Sequence, residues 1–147
     1  MHSRLLHGEI TERVLGVFFQ VHRELGAGFL ESVYANAMFF ALKDAGLRVE
    51  SEVPIAVYFR GRRIGTFRPD MIVESVVLLE FKAGAQLDPN SPAQTLNYLR
   101  AGHLEVALIL HFGPKATFKR LVATNDHKIL PRASADSADS AAPGKTP

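Results

Sequence analysis

The sequence predicts an α/β (α+β) domain, a mixed central sheet flanked by helices, with elements in the order ααββββαββ. Three observations carry that expectation. Two stretches near the N-terminus repeat apolar residues at helical spacing, and the middle of the chain switches to short β-branched and aromatic runs. A later run, LEVALILHFG, is almost wholly apolar, as a strand covered on both faces would be.

Taken in order, Ile10, Val14, Val17, Phe18, Val21 and Leu25 define one amphipathic helix, which Gly26 and Gly28 stop. Leu30, Val33, Tyr34, Ala37, Met38, Ala41 and Leu42 define a second, closing at Ala45-Gly46. Glu31 falls in its first turn, where the helix dipole favours a carboxylate. Four segments follow: LRVESEVP, IAVYFRG, RIGTFRPDMIVE and VVLLEFKA. Their short polar or glycine-containing links predict consecutive antiparallel strands. Ser91-Pro92 reads as a cap followed by proline at the first helical position, opening a helix that closes at Ala101-Gly102. LEVALILHFG and ATFKRLVA supply the last two strands.

A chain of 147 residues suits one domain, expected over residues 1–130. The remainder, PRASADSADSAAPGKTP, has no large apolar residue and cannot offset the entropy of ordering, so residues 131–147 are expected to form a disordered tail. Apolar residues at 47% and charged residues at 22% match a soluble globular body. No apolar stretch reaches a bilayer-spanning length and MHSRLLHGEITER lacks the features of a signal peptide, which predicts a cytoplasmic protein without a membrane partner.

The absence of cysteine excludes disulfides, thiolate zinc sites and cysteine nucleophiles, so any metal must take oxygen or imidazole ligands. A net charge of +2 and a pI near 9.1 permit nucleic-acid binding without requiring it. Arg60, Arg62, Arg63 and Arg68 crowd one stretch, and Lys115, Lys119 and Arg120 another. Taken alone, both clusters are better read as solvated strand ends. Few aromatics fall outside the core pattern, so no stacking platform for bases is expected.

The segment VVLLEFKA carries the chemistry. Alternation puts Val77, Leu79 and Phe81 on one face and Val76, Leu78, Glu80 and Lys82 on the other. A face that begins apolar therefore ends in a carboxylate and an ammonium. Buried charges are costly unless paired or metal-bound, and a simple Glu80–Lys82 pair is the bland explanation. However, Arg68-Pro69-Asp70 interrupts the preceding β-pattern, and a hairpin there would bring Asp70 beside Glu80. Two carboxylates then suit a hard divalent cation, Mg²⁺ or Mn²⁺, and the lysine suits water activation in phosphodiester hydrolysis.

Pro69-Asp70, nine residues, then Glu80-Phe81-Lys82 resembles the PD-(D/E)xK motif of the restriction-endonuclease-like nucleases. Gly28-Phe-Leu-Glu31-Ser-Val-Tyr34 resembles the motif that names the GxxExxY protein family, a branch of that superfamily. Together these span roughly Glu9 to Val122. The resemblance implies a restriction-endonuclease-like core and a metal-dependent nuclease. It also implies Glu31, Asp70 and Glu80 as metal ligands, with Lys82 positioning water. Gln94-Thr-Leu-Asn-Tyr98 is similar to the QxxxY element of RecB-like exonucleases, which adds Gln94 to the catalytic set. Nucleic acid, DNA in preference to RNA, is the expected partner, contacted by Arg62, Arg63, Arg68 and Tyr98. For Tyr98 a packing role is at least as good a reading. His22, His103 and His111 fit no ligand pattern and are read as satisfied side chains. A non-catalytic nucleic-acid- or protein-binding module on the same fold is the alternative, and a homodimer is a further option.

Overall fold

A computed structural model of the chain describes residues 5–131; the expected tail from residue 132 onward lies outside the described residues. The elements are α1 (Gly8–Leu25), α2 (Glu31–Asp44), β1 (Val49–Ser51), β2 (Ile55–Phe59), β3 (Arg62–Phe67), β4 (Met71–Val73), β5 (Val77–Ala83), α3 (Ser91–Arg100), β6 (Val106–Phe112) and β7 (Ala116–Val122). Both N-terminal helices stop where glycine was expected to stop them. Gly26 has φ 76° and Gly46 has φ 87°, a conformation that costs glycine little and other residues much.

The sheet departs from the expected succession of hairpins. RIGTFRPDMIVE is two strands, not one, so five strands rather than four precede α3. Pro69 is the reason: it lacks the N–H a continuous ladder needs, and the chain leaves β3 there to begin β4. The main sheet runs β1-β4-β5-β6-β7, while β2 and β3 form a separate two-stranded ribbon. Arg60 and Gly61 both have positive φ, 52° and 75°, as the two central residues of a tight hairpin turn require. In the main sheet β5 and β6 are parallel and the other neighbours antiparallel.

Parallel β5 and β6 need a crossover, and α3 provides it. Asn90, not Ser91, occupies the cap position, which puts Pro92 just inside the first turn, where its missing N–H is not needed. Helices α1 and α2 pack on one sheet face, burying Phe18, Tyr34, Met38 and Leu42 against Leu79, Phe81, Leu108 and Phe112. Phe112 centres this layer: Tyr34 stacks on it at 4.1 Å and 11°, and Phe18 meets it edge-on at 4.9 Å. On the opposite face α3 packs Leu99 over Leu78 and Ala107. All seven residues of β6 are buried, as the apolar run between two layers predicts. No helix among the described residues is long and apolar enough to cross a membrane.

Candidate active site

The alternation read from VVLLEFKA holds from Val77 onward: Val77, Leu79 and Phe81 are buried under α1 and α2, while Glu80 and Lys82 are half-buried on the face that carries Leu78. Val76, expected on that second face, precedes β5 and packs against the α1–α2 side instead. Ile72 pairs with Leu78, so the antiparallel register continues to Asp70 opposite Glu80. Two hydrogen bonds lock that approach. The Asp70 N–H donates to Glu80 Oε2 at 3.3 Å, and the Phe81 N–H donates to Asp70 Oδ2 at 2.8 Å. Each carboxylate thus meets the backbone of the other strand.

Burial raises both acids. Glu80 is pushed up from 4.5 to about 7, first by desolvation and then by the neighbouring Asp70 charge. Asp70 is also raised, mainly by desolvation, although the Phe81 N–H and Lys82 oppose the shift. Glu31 adds a raising effect on both, and Lys82 a lowering effect on both. Four of the expected residues therefore share one electrostatic site: Glu31, Asp70, Glu80 and Lys82. The ammonium forms no ion pair within 4 Å; among the described residues the ion pair is Arg48–Glu74, at the far end of β4.

Asp70 and Glu80 fit a divalent cation by donor chemistry. Both present oxygen, both are desolvated, and neither is neutralised by a contacting cationic side chain. Among the described residues no group of three His, Asp or Glu side chains forms a complete ligand set. Mg²⁺ does not need one, since it commonly keeps waters and substrate phosphates beside one or two carboxylates.

Glu31 owes its place to the segment before it. Gly28, at φ 109°, lets the chain turn out of α1 into α2, and Glu31 is the first residue of α2. One turn later Tyr34 is fully buried; its hydroxyl donates to the Gly26 carbonyl and accepts from the Phe29 N–H at 3.3 Å. The glycine and tyrosine of GxxExxY thus hold the linker that starts α2, and the glutamate rides on it.

None of the remaining expected residues hydrogen-bonds to the Asp70 or Glu80 carboxylate among the described residues. Gln94 is exposed on the first turn of α3, and no hydrogen bond ties its side chain to the carboxylates among the described residues. Tyr98 stacks flat on Phe67 at 3.9 Å and 6°, which docks the β2–β3 ribbon on α3. Arg62 is exposed on β3, and Arg63 donates to Thr66 Oγ1 at 3.2 Å. Arg68 donates to the Glu52 carbonyl at 3.1 Å. His22 and His111 hold backbone carbonyls, at Gly113 (2.8 Å) and Gly84 (2.9 Å), as satisfied histidines do.

Glu52 escaped the sequence reading. Its N–H donates to the Asp70 carbonyl at 3.1 Å, and its charge helps to raise Asp70. Only the β1–β4 pairing brings it there, and nothing in SEVP signals that pairing.

No curated protein matches this chain. Among solved structures it is similar to one described as "Crystal structure of SSO0001", with 18% identity and a TM-score of 0.47 over 71% of this chain. The match covers 52% of that structure, so this chain spans about half its length. A family model described as the PD-(D/E)XK nuclease superfamily matches residues 8–121. That stretch contains every element from α1 through most of β7, and the chain belongs to the PD-(D/E)XK nuclease superfamily.

Proposed function

We propose that this chain is a metal-dependent nuclease that hydrolyses phosphodiester bonds, with Asp70 and Glu80 holding Mg²⁺ or Mn²⁺ and DNA the first substrate to test. The observation that supports it most is the interlocked Asp70–Glu80 pair, desolvated and without an ion-pairing cationic side chain among the described residues, with Lys82 at the end of the same strand face. Such a pair is unfavourable in a purely structural role, because two carboxylates repel and lose hydration together.

When bound, the ion supplies charge neutralisation on the phosphoryl oxygens and a water of lowered pKa. Asp70 and Glu80 would hold it, with one oxygen of each carboxylate fixed by a backbone N–H of the other strand. Glu31 completes the acidic side from the start of α2. The Lys82 ammonium orients the attacking water and stabilises charge developing on the phosphate. Gln94 orients substrate, while Arg62, Arg63 and Arg68 contact flanking phosphates, and Tyr98 keeps the arginine-bearing ribbon seated on α3.

The test pairs Mn²⁺ titration with single-turnover cleavage of DNA. Asp70→Ala and Glu80→Ala should abolish saturable Mn²⁺ binding. Lys82→Met should retain it yet slow cleavage by at least about 100-fold. Cleavage by Lys82→Met at the wild-type rate would sink the proposal.

A further inference from the structure

The sheet register extends the candidate site beyond β5. Glu80 pairs with Ile109, and Ile109 with Lys119; Lys82 pairs with His111, and His111 with Thr117. Paired residues on neighbouring strands share a face, so these side chains form one surface. At Leu78, Ala107 and Leu121 that surface is covered by α3. Two residues further along it opens into a cavity of about 610 Å³, a size typical of small-ligand sites.

This cavity is a built feature. One rim is the segment that follows Gly84, including Leu87, and the other is the β6–β7 turn with Lys115. His111, only 6% exposed, ties the rims to the floor: its ring nitrogen Nε2 meets the Gly84 carbonyl at 2.9 Å. The ring also lies so close under Gly113 that an added Cβ would sit 2.7 Å from it. The walls combine apolar Leu87 and Pro114 with Lys115 and Lys119, over a floor that includes the buried Ile109, and no carboxylate lines them.

We propose that this cavity seats an unpaired nucleotide of a single-stranded nucleic acid, next to the phosphate addressed by Glu80 and Lys82. The proposal rests on the nuclease reading and names its substrate class. An unpaired base has apolar faces that Leu87 and Pro114 can cover, above the buried floor at Ile109, while its flanking phosphates meet Lys115 and Lys119. A duplex keeps those faces stacked inside and offers the cavity nothing but its charged exterior. Strand spacing puts β7 about 10 Å from β5, so one strand lying across the sheet addresses both the carboxylates and Lys119.

The test is fluorescence anisotropy of the full chain in EDTA, with a labelled single strand and with the matching duplex. Binding without metal separates this proposal from cleavage. Wild type should bind the single strand at least about tenfold more tightly than the duplex. Lys115→Gln/Lys119→Gln should lose about tenfold for the single strand. Its salt slope should fall by about 1.4, the value for two phosphate contacts on a single strand. Leu87→Ala should lose affinity with an unchanged salt slope. Duplex preference by wild type, or unchanged single-strand affinity in a double variant that melts like wild type, would overturn the proposal while leaving nuclease activity intact. Conversely, single-strand binding lost in the double variant, with no cleavage by wild type in Mn²⁺, would support the cavity and remove the nuclease reading.

Discussion

Replacing Glu80 by Gln removes one charge from the desolvated pair while keeping an oxygen for the Asp70 N–H. In the folded, metal-free protein the carboxyl titrates at about 7, against 4.5 when unfolded. The folded state therefore holds its proton more tightly, and stability falls as pH rises from the lower value to the upper, then stays low. Each unit of that window is worth about 1.4 kcal/mol, which makes the full deficit roughly 3 kcal/mol for a group this buried. Glu80→Gln carries no such deficit. In EDTA near pH 8 it should be more stable than wild type by roughly 2–3 kcal/mol, or about 5–10 °C in Tm. Near pH 4.5 the two proteins should converge. Mn²⁺ at a hundredfold its Kd should add about 2.7 kcal/mol to wild type and much less to the variant, cancelling the gap. Urea unfolding followed by circular dichroism across this pH range reads all three effects. A variant less stable than wild type near pH 8, or a gap independent of pH, would refute burial and repulsion as the cause.

Two further outcomes bear on the linker that starts α2. Tyr34→Phe removes the hydroxyl that bridges Gly26 and Phe29, leaves both backbone groups unpaired, and should cost about 1–2 kcal/mol in urea unfolding. An unchanged midpoint would show that the hydroxyl does not hold the linker. Gly28→Ala has open space for its Cβ, so any loss must come from the backbone at φ 109°. It should cost about 1 kcal/mol, and a neutral or stabilising result in thermal melts would show that the linker is free to relax.

Much of this protein was legible from local pattern. The apolar stripes of α1 and α2 sit at helical spacing, and their glycine stops act on the residue next to them. The buried run of β6 and the alternation of VVLLEFKA report burial on each side of a strand, so Glu80 and Lys82 could be assigned to one face without a partner strand. Asp70 was reachable because a short connection to β5 left few other places for it. By itself, then, the sequence determined the helices, the core strands and the placing of Glu80 and Lys82 on one strand face, since each depends on neighbours close along the chain. Only the tertiary structure decided that β2 and β3 leave the sheet, that β1 pairs with β4 and carries Glu52 to Asp70, and that β7 brings Lys119 into the Glu80 row. It also decided the raised Glu80 pKa and the cavity beside it. The physical reason is that strand pairing and desolvation are set by contacts between segments distant in sequence, to which a one-dimensional pattern of apolar and polar residues is blind.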